Sequence, residues 1–434
     1  MQMNIFFKRI IPIIVMFAIP LSGFSQASEG SVLQLTLKEA QDYALKYNRN
    51  VWNAGLAVSE AQKRTWETIS AGLPQVNATV DYQNMMGFKM GFAGLTIPLE
   101  PTSNFQASVT QLLFNGSYWV GIRMSKIGEQ LSETMRLQSE LDVKQQTQSA
   151  YHAVLIAKEN KKILDLNLAN IQTLAKSTED MVRIGVAEQT DADQMKVQVA
   201  TIMNGIKTVE RHIELAYNLL RFQLGVEANT EIVLKQTLED LIAEKDAQAM
   251  LAAMFDLNAN YNIQLLEGQI DLADKQVSLE KAAALPTVAA FYNYTYKIKK
   301  STFDMSPNNI IGLQASIPIF ASGQRHARTQ QAKIKLETAQ NNKALVADQL
   351  LMQEKQLRFN LNNAIESFSL QKEALEVSQR VFESVMRKYR QGTASSLDVT
   401  TANTALLQTQ GNYINAMMEV FSAQTELEKL LNVF

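Results

Sequence analysis

The chain has no cysteine, three histidines, eight prolines and, beyond residue 25, no continuous apolar run of membrane-spanning length. Without cysteine there are no disulfides, no thiolate metal sites and no lipid attached to an N-terminal cysteine. His152, His212 and His326 lie in separate tracts without the spacing that zinc ligation needs, and no nucleophile elbow accompanies them. No metal, cofactor or enzymatic activity is expected. Lys and Arg number 41 against 43 Asp and Glu, a net charge of -2, so the basic surface that captures nucleic acid is missing too. With no spanning helix, a membrane passage of the mature chain requires a closed barrel.

What is present begins with a leader. Lys8 and Arg9 precede an apolar run from Ile10 to Leu21, and the small residues Gly23 and Ser25 frame a cleavage site. Residues 1–25 read as a cleaved export signal. The run falls short of the ~20 residues of a membrane anchor and contains Pro12 and Pro20.

The remaining prolines, Pro74, Pro98, Pro101, Pro286, Pro307 and Pro318, fall in two clusters and leave long proline-free tracts between them. In the first tract Val143, Ala150, Ala157, Leu164 and Ile171 recur every seven residues; in the second Leu361, Phe368, Leu375, Phe382 and Tyr389 do the same. A seven-residue period keeps one seam facing a partner helix through a left-handed supercoil. The spacing predicts helices over about 36–71, 117–184 and 190–225, and again over about 258–284, 322–390 and 396–432. A helix of roughly 68 residues reaches ~100 Å at ~1.5 Å per residue, so the molecule is elongated.

Around the prolines the period changes to two. Val76, Ala78, Val80 and Tyr82 alternate with Asn77, Thr79 and Asp81, and Phe105, Ala107 and Val109 alternate with polar neighbours. A second pair runs through Val288, Ala290, Tyr292, Tyr294 and Tyr296, then Ile311, Leu313, Ala315, Ile317 and Ile319. Strands are expected at about 75–84, 104–114, 287–298 and 309–320.

These elements are duplicated. Leu73, Pro74, Val76, Ala78 and Tyr82 recur as Leu285, Pro286, Val288, Ala290 and Tyr294; Asn48 and Asn50 recur as Asn258 and Asn260; Arg183, Gly185, Ala187 and Asp191 recur as Arg390, Gly392, Ala394 and Asp398. The first repeat spans 31–231 and the second 257–434. Between them 232–256 forms a linker expected to contribute a short lateral helix. A four-stranded sheet with one apolar face exposes unpaired edges, and if that face meets lipid, copies of the same chain supply the closure. Tyr292, Tyr294 and Tyr296 fit an interfacial aromatic girdle or, alternatively, the core of a soluble sandwich.

This combination resembles the TolC-like outer-membrane efflux family over nearly the whole mature chain. The residues that carry the resemblance are Leu35-Thr36-Leu37-Lys38-Glu39-Ala40, the Leu-Pro pairs that open the strands at Pro74 and Pro286, Leu113-Phe114-Asn115-Gly116, Pro318-Ile319-Phe320 and the turns at Gly185 and Gly392. The resemblance implies a mainly α chain with a small β part. It also implies a homotrimer in which four strands per chain share one transmembrane β-barrel and the long helices form a periplasmic α-barrel. The partners it implies are outer-membrane lipid, a periplasmic adaptor and an inner-membrane pump, with passive export as the function.

By the same resemblance, Arg183, Gly185, Arg390 and Gly392 belong to helix-hairpin turns that meet the adaptor. Thr190 and Asp191 match a hydrogen-bonding pair of the periplasmic mouth, Tyr389 its tyrosine, and Asp398 an inward aspartate. Two positions depart from the pattern: an arginine is replaced by Ala394 and a second pore aspartate by Thr401. Arg183 or Arg390 compensates, or the closed mouth is looser. Asp191 and Asp398 also suit N-terminal helix capping, which does not exclude pore lining.

Gly87, Gly91 and Gly94 beside Met85, Met86 and Met90 mark an apolar loop over 84–104 and lack the lysine-serine ending of a phosphate cradle. Terminal Phe434 either assists barrel assembly or packs at the end of the last helix. The competing reading is a periplasmic coiled-coil scaffold or adaptor without a pore. A diffusion porin needs many more strands and few helices.

Overall fold

The computed structural model describes residues 32–92, 95–98, 100–244, 247–300, 304 and 306–434. The proposed leader therefore lies outside the described residues. The architecture is mainly helical with a small β part.

The chain opens with β1 (Leu33–Leu35) and α1 (Leu37–Tyr47), whose start is fixed by a capping box: the Glu39 amide donates to Thr36 Oγ1 and the Thr36 amide to Glu39 Oε2. The single helix expected at 36–71 is two helices, because Asn48 takes an extended backbone between α1 and α2 (Arg49–Ser70). Its side chain serves both neighbours, accepting from the Asn50 amide at 2.8 Å and donating to the Gln223 carbonyl at 2.7 Å. Asn260 repeats this cap in the second half, so the helix expected from 258 becomes a short 3-10 turn and α7, which begins at Tyr261.

After Pro74 come β2 (Gln75–Gln83), a small hairpin of β3 (Lys89–Phe92) and β4 (Leu95–Pro98), and β5 (Thr102–Asn115). The hairpin replaces the loop expected at 84–104; Met86 and Gly87, at φ 46° and 80°, make the bend into it. Asn115 then caps α3 (Gly116–Arg183), which pairs with α4 (Gln189–Leu224). The linker is not one lateral helix. It contains β6 (Ile232–Leu234), parallel to β1, and two short helices, α5 (Leu238–Glu244) and α6 (Ala247–Ala252). Arg358 ties α6 down by donating to the carbonyls of Leu251 and Ala253.

The second half runs through α7 (Tyr261–Ala282), β7 (Thr287–Lys299), β8 (Asn309–Ser316), α8 (Gln324–Arg390) and α9 (Ser396–Leu431). β8 stops at Ser316 and not near 320. Pro318 has no amide to donate to a ladder, and the Arg325 guanidinium takes the carbonyls of Pro318 and Ile319, each at 2.9 Å.

The main sheet has the order β2-β5-β7-β8, antiparallel throughout, so the two repeats join at β5 and β7. Register places Val76, Val109, Tyr292 and Ile311 in one row and Val80, Phe105 and Tyr296 in another, all on one face. The opposite face carries Asn77, Ser108 and Asn293, then Thr79, Gln106 and Thr295. The apolar face is uncovered: Val76, Val80, Ile311 and Leu313 are all at least 70% exposed.

Helices α3 and α4, and α8 and α9, form two long hairpins. One buried cluster near their distal ends joins both hairpins through Ile171, Leu174, Met195, Ile202, Phe382, Tyr389 and Val399. A second, around Tyr151, Val154, Leu220, Leu241 and Phe421, gathers α1, the linker and the middle of α3. Tyr389 and Phe382, members of the heptad series, are buried in the distal cluster as knobs of the seam.

Candidate functional site: the helix-hairpin tips

Each hairpin reverses through the same backbone device. α3 ends where Gly185 takes φ 75°, with the Val186 amide reaching back to the Met181 carbonyl at 2.9 Å; α8 ends where Gly392 takes φ 73°, with the Thr393 amide on the Lys388 carbonyl at 2.9 Å. This is the left-handed glycine termination that satisfies orphan carbonyls at a helix end. Ile184 and Val186, flanking Gly185, are 71% and 72% exposed.

Both following helices are capped by their aspartates. Asp191 Oδ2 accepts from the Glu188 amide at 3.1 Å. Asp398 Oδ2 accepts from the Ser395 amide at 2.8 Å and from the Ser395 hydroxyl at 2.7 Å, and these bonds hold its carboxyl below the usual aspartate range, the amide contributing most. Asp398 is exposed, and its capping bonds leave it charged at neutral pH.

Thr190, Asp191, Tyr389 and Asp398 each bond a residue outside that set. Tyr389 shares a hydrogen bond of 3.1 Å with Thr178, both side chains buried, and Asp191 accepts from the Ser396 hydroxyl. Thr190 bonds its neighbour Glu188, at 3.3 Å. A third link joins Asn403 to Gln198 at 3.0 Å. Thr178 and Gln198 come from the first hairpin and Tyr389, Ser396 and Asn403 from the second, so three polar bonds stitch the repeats together around an apolar seam.

Sequence reasoning missed Thr178, Gln198, Ser396 and Asn403. Thr178 continues the buried stripe of Ile171 and Leu174, and a lone hydroxyl on such a stripe needs a partner. That was the signal available. Its partner, more than two hundred positions away, was not readable.

Charge divides between the tips. The first carries Glu179, Asp180, Glu188, Asp191 and Asp193; the second ends α8 with Arg387, Lys388 and Arg390. Basic residues suit a helix C-terminus, where carbonyls point outward. Arg183 is engaged by Asp180 at 2.6 Å, whereas Arg390 has no ion-pair partner among the described residues. Ala394 packs beside the apolar seam and Thr401 is exposed.

Similarity to known proteins agrees with this architecture. A family model described as outer membrane efflux protein matches residues 41–226 and 257–433. Outer membrane protein TolC of Salmonella enteritidis is 23% identical over 421 residues, which covers 94% of this chain and 83% of TolC. The pyoverdine export outer membrane protein OpmQ of Pseudomonas aeruginosa is 22% identical over 421 residues, covering 94% and 86%. The crystal structure of the outer membrane protein VceC of Vibrio cholerae shares the fold, with a TM-score of 0.72 at 16% identity over 91% of this chain and 95% of VceC.

Proposed function

Because this chain belongs to the outer membrane efflux protein family, we propose that it is the outer-membrane exit duct of an export assembly, conducting substrate passively from an inner-membrane pump and periplasmic adaptor. The observation that carries this reading is the sheet: four strands, one face apolar and uncovered, both edges unpaired among the described residues, with β5 running directly into α3, of 68 residues, and β8 joined through the Pro318 segment to α8, of 67. β5 and β7, at 14 and 13 residues, exceed the ~9–11 that a tilted membrane strand needs. In lipid the edges of β2 and β8 have no water to bond, so β8 of one copy pairs with β2 of the next. A homotrimer closes the barrel. The helices carry matching open flanks: Trp52, Leu56 and Trp66 on α2, and Ile334, Leu345 and Met352 on α8, are all more than half exposed in the single chain.

In this reading the hairpin tips form the periplasmic mouth. Tyr389 and Asp191 hold the two hairpins of one chain together in the closed state, Thr190 lies beside them, and Asp398 presents charge at the constriction. Gly185 and Gly392 set the turns that meet the adaptor, with Ile184 and Val186 offering apolar contact and Arg183 and Arg390 the flanking charge. Arg390, being unpaired, substitutes for the arginine missing at Ala394 by reaching an acidic first tip on a neighbouring copy. Pro74 and Pro286 mark where helix gives way to membrane strand.

The test is reconstitution. Detergent-purified protein added to a planar bilayer should give discrete conductance steps. A protein that stays in the soluble fraction without detergent and leaves bilayers silent overturns the duct in favour of a soluble scaffold.

A further inference from the structure

The two hairpins repeat one another in sequence, yet they are not used alike. In α9, Ser396, Asn403 and Gln410 recur every seven residues along a stripe that is buried. Helix α4 holds its lower part: the Ser396 hydroxyl donates to Asp191 Oδ1, and one heptad higher on both helices Asn403 Nδ2 donates to Gln198 Oε1. The two helices therefore run side by side in parallel, in a seven-residue register. At the offset that carries Gly185 to Gly392, the counterparts of Ser396, Asn403 and Gln410 are Gln189, Lys196 and Met203 of α4. All three are exposed.

The covering side shows the same imbalance. Asp191 and Gln198 are half-buried, whereas their counterparts Asp398 and Ala405 are exposed. Asp191 uses both carboxylate oxygens, Oδ2 on the Glu188 amide of its own cap and Oδ1 on Ser396. Asp398 takes both of its cap bonds, from the Ser395 amide and hydroxyl, on Oδ2, and its Oδ1 has no hydrogen-bond partner among the described residues. Each chain thus carries one junction that is made and the two halves of a second that is not.

We propose that these halves meet between copies: α9 of one copy lies against α4 of the next, with Asp398 Oδ1 accepting from the Gln189 side-chain amide as Asp191 Oδ1 accepts from Ser396, and with Ala405 seated beside Lys196. The inference rests on the closed homotrimer proposed above, in which the second hairpin of each copy borders the first hairpin of another. Charge favours the same pairing. Helical side chains lean toward the N-terminus, so Lys196 of the next copy points down toward the row of Asp398, and the small Ala405 leaves room for its stem. Lys196 is 56% exposed despite its contact with Glu179 at 3.3 Å, so its ammonium is open to a second carboxylate. Asp398 is then a junction residue between copies as well as a source of charge at the mouth.

The chain has no cysteine, so introduced thiols report without background. Full-length protein is purified in detergent, oxidised with copper phenanthroline and run on denaturing gels without reductant. Asp191→Cys/Ser396→Cys calibrates the geometry that a disulfide demands: it should close within one chain, changing mobility but not mass. Gln189→Cys/Asp398→Cys should link chains, giving two- and three-chain bands that reductant abolishes, and neither single variant should. Where the double variant does not assemble, a zero-length carbodiimide on the wild type decides, joining Lys196 to Asp398 in linked chains only. The proposal is overturned if the control closes while Gln189→Cys/Asp398→Cys stays as single chains, or if the Lys196–Asp398 link falls within single chains. Linked chains from Asp398→Cys alone overturn it too, by placing that residue against its own copies across the pore. Light scattering on the same samples separates the two readings: three chains per particle without these links leave the duct standing and remove only the junction, while a single-chain particle removes the closed duct itself.

Discussion

The hydroxyls of Tyr389 and Thr178 lie 3.1 Å apart, one from each repeat, with the Thr178 hydroxyl also donating to the Leu174 carbonyl at 3.0 Å. Both side chains are buried, so the bond between the hairpins forms where water does not compete. Removing it with Tyr389→Phe leaves Thr178 its local acceptor and should weaken the junction by about 1 kcal/mol, the net worth of a typical buried hydrogen bond.

If closure of the mouth depends on that junction, Tyr389→Phe should raise resting conductance in planar bilayers several-fold. Thr178→Val should do the same, and the double variant should add little to either, because the two residues share one interaction. Additive effects would separate them.

Asp398 gives a prediction with a definite pH direction. Its carboxyl is held below the usual range by the Ser395 amide and hydroxyl, so its native pKa is lower than its unfolded one. The capping contribution is therefore fully present above the unfolded aspartate pKa and disappears as pH falls through the lower native value. Cation preference, read as the reversal potential under a salt gradient, should persist from neutral pH down past the ordinary aspartate range. Asp398→Ala should reduce that preference at pH 7; an unchanged reversal potential would assign Asp398 to capping alone.

Two glycines with similar backbone angles should respond differently to alanine. At Gly392, φ 73°, an added Cβ meets nothing within 4 Å, so the cost is the left-handed conformation alone, about 1 kcal/mol. At Gly225, φ 70°, the same atom would lie 2.3 Å from the Tyr47 carbonyl oxygen, where the end of α4 abuts the break after α1. Backbone has to shift, adding roughly 1–3 kcal/mol of overpacking. Thermal unfolding in detergent should show Gly225→Ala well below Gly392→Ala; equal midpoints would mean that this junction yields freely.

Arg358 is the anchor of the linker. Its guanidinium satisfies carbonyls at the end of α6, the last of them Ala253 at 2.6 Å, while Glu354 holds its other edge. Arg358→Met keeps the aliphatic stem but removes the donors, leaving those carbonyls to water. Limited proteolysis should then cut between residues 245 and 256 several times faster, with the α3–α4 hairpin unaffected. An unchanged cleavage rate would show that the packing of Met250, Leu251 and Phe255 against the buried cluster of Ile263, Leu357, Leu361 and Leu427 suffices.

The long helices were legible because a seven-residue period sustained from Val143 to Ile171 and from Leu361 to Tyr389 has no other physical reading. The strands were legible because two-residue alternation separates faces. Short elements escaped. β1 and β6 have three residues each, too few for alternation to register, and they stabilise each other only across the whole first repeat. The break at Asn48 hides inside a continuing helical pattern, although the Asn-x-Asn spacing of Asn48 and Asn50, present again at Asn260 and Asn262, was a capping signal. At the mouth the residue types were visible and their pairings were not: Asp191 finds Ser396, and Tyr389 finds Thr178, because the two hairpins pack in a register that no local spacing encodes.

The most direct measurement is the mass of the detergent-purified particle by light scattering, corrected for bound detergent. A sheet with two unpaired edges and an uncovered apolar face should close with copies of itself, giving three chains per particle that do not exchange on dilution. A monodisperse single chain, stable in buffer once detergent is withdrawn, contradicts the barrel.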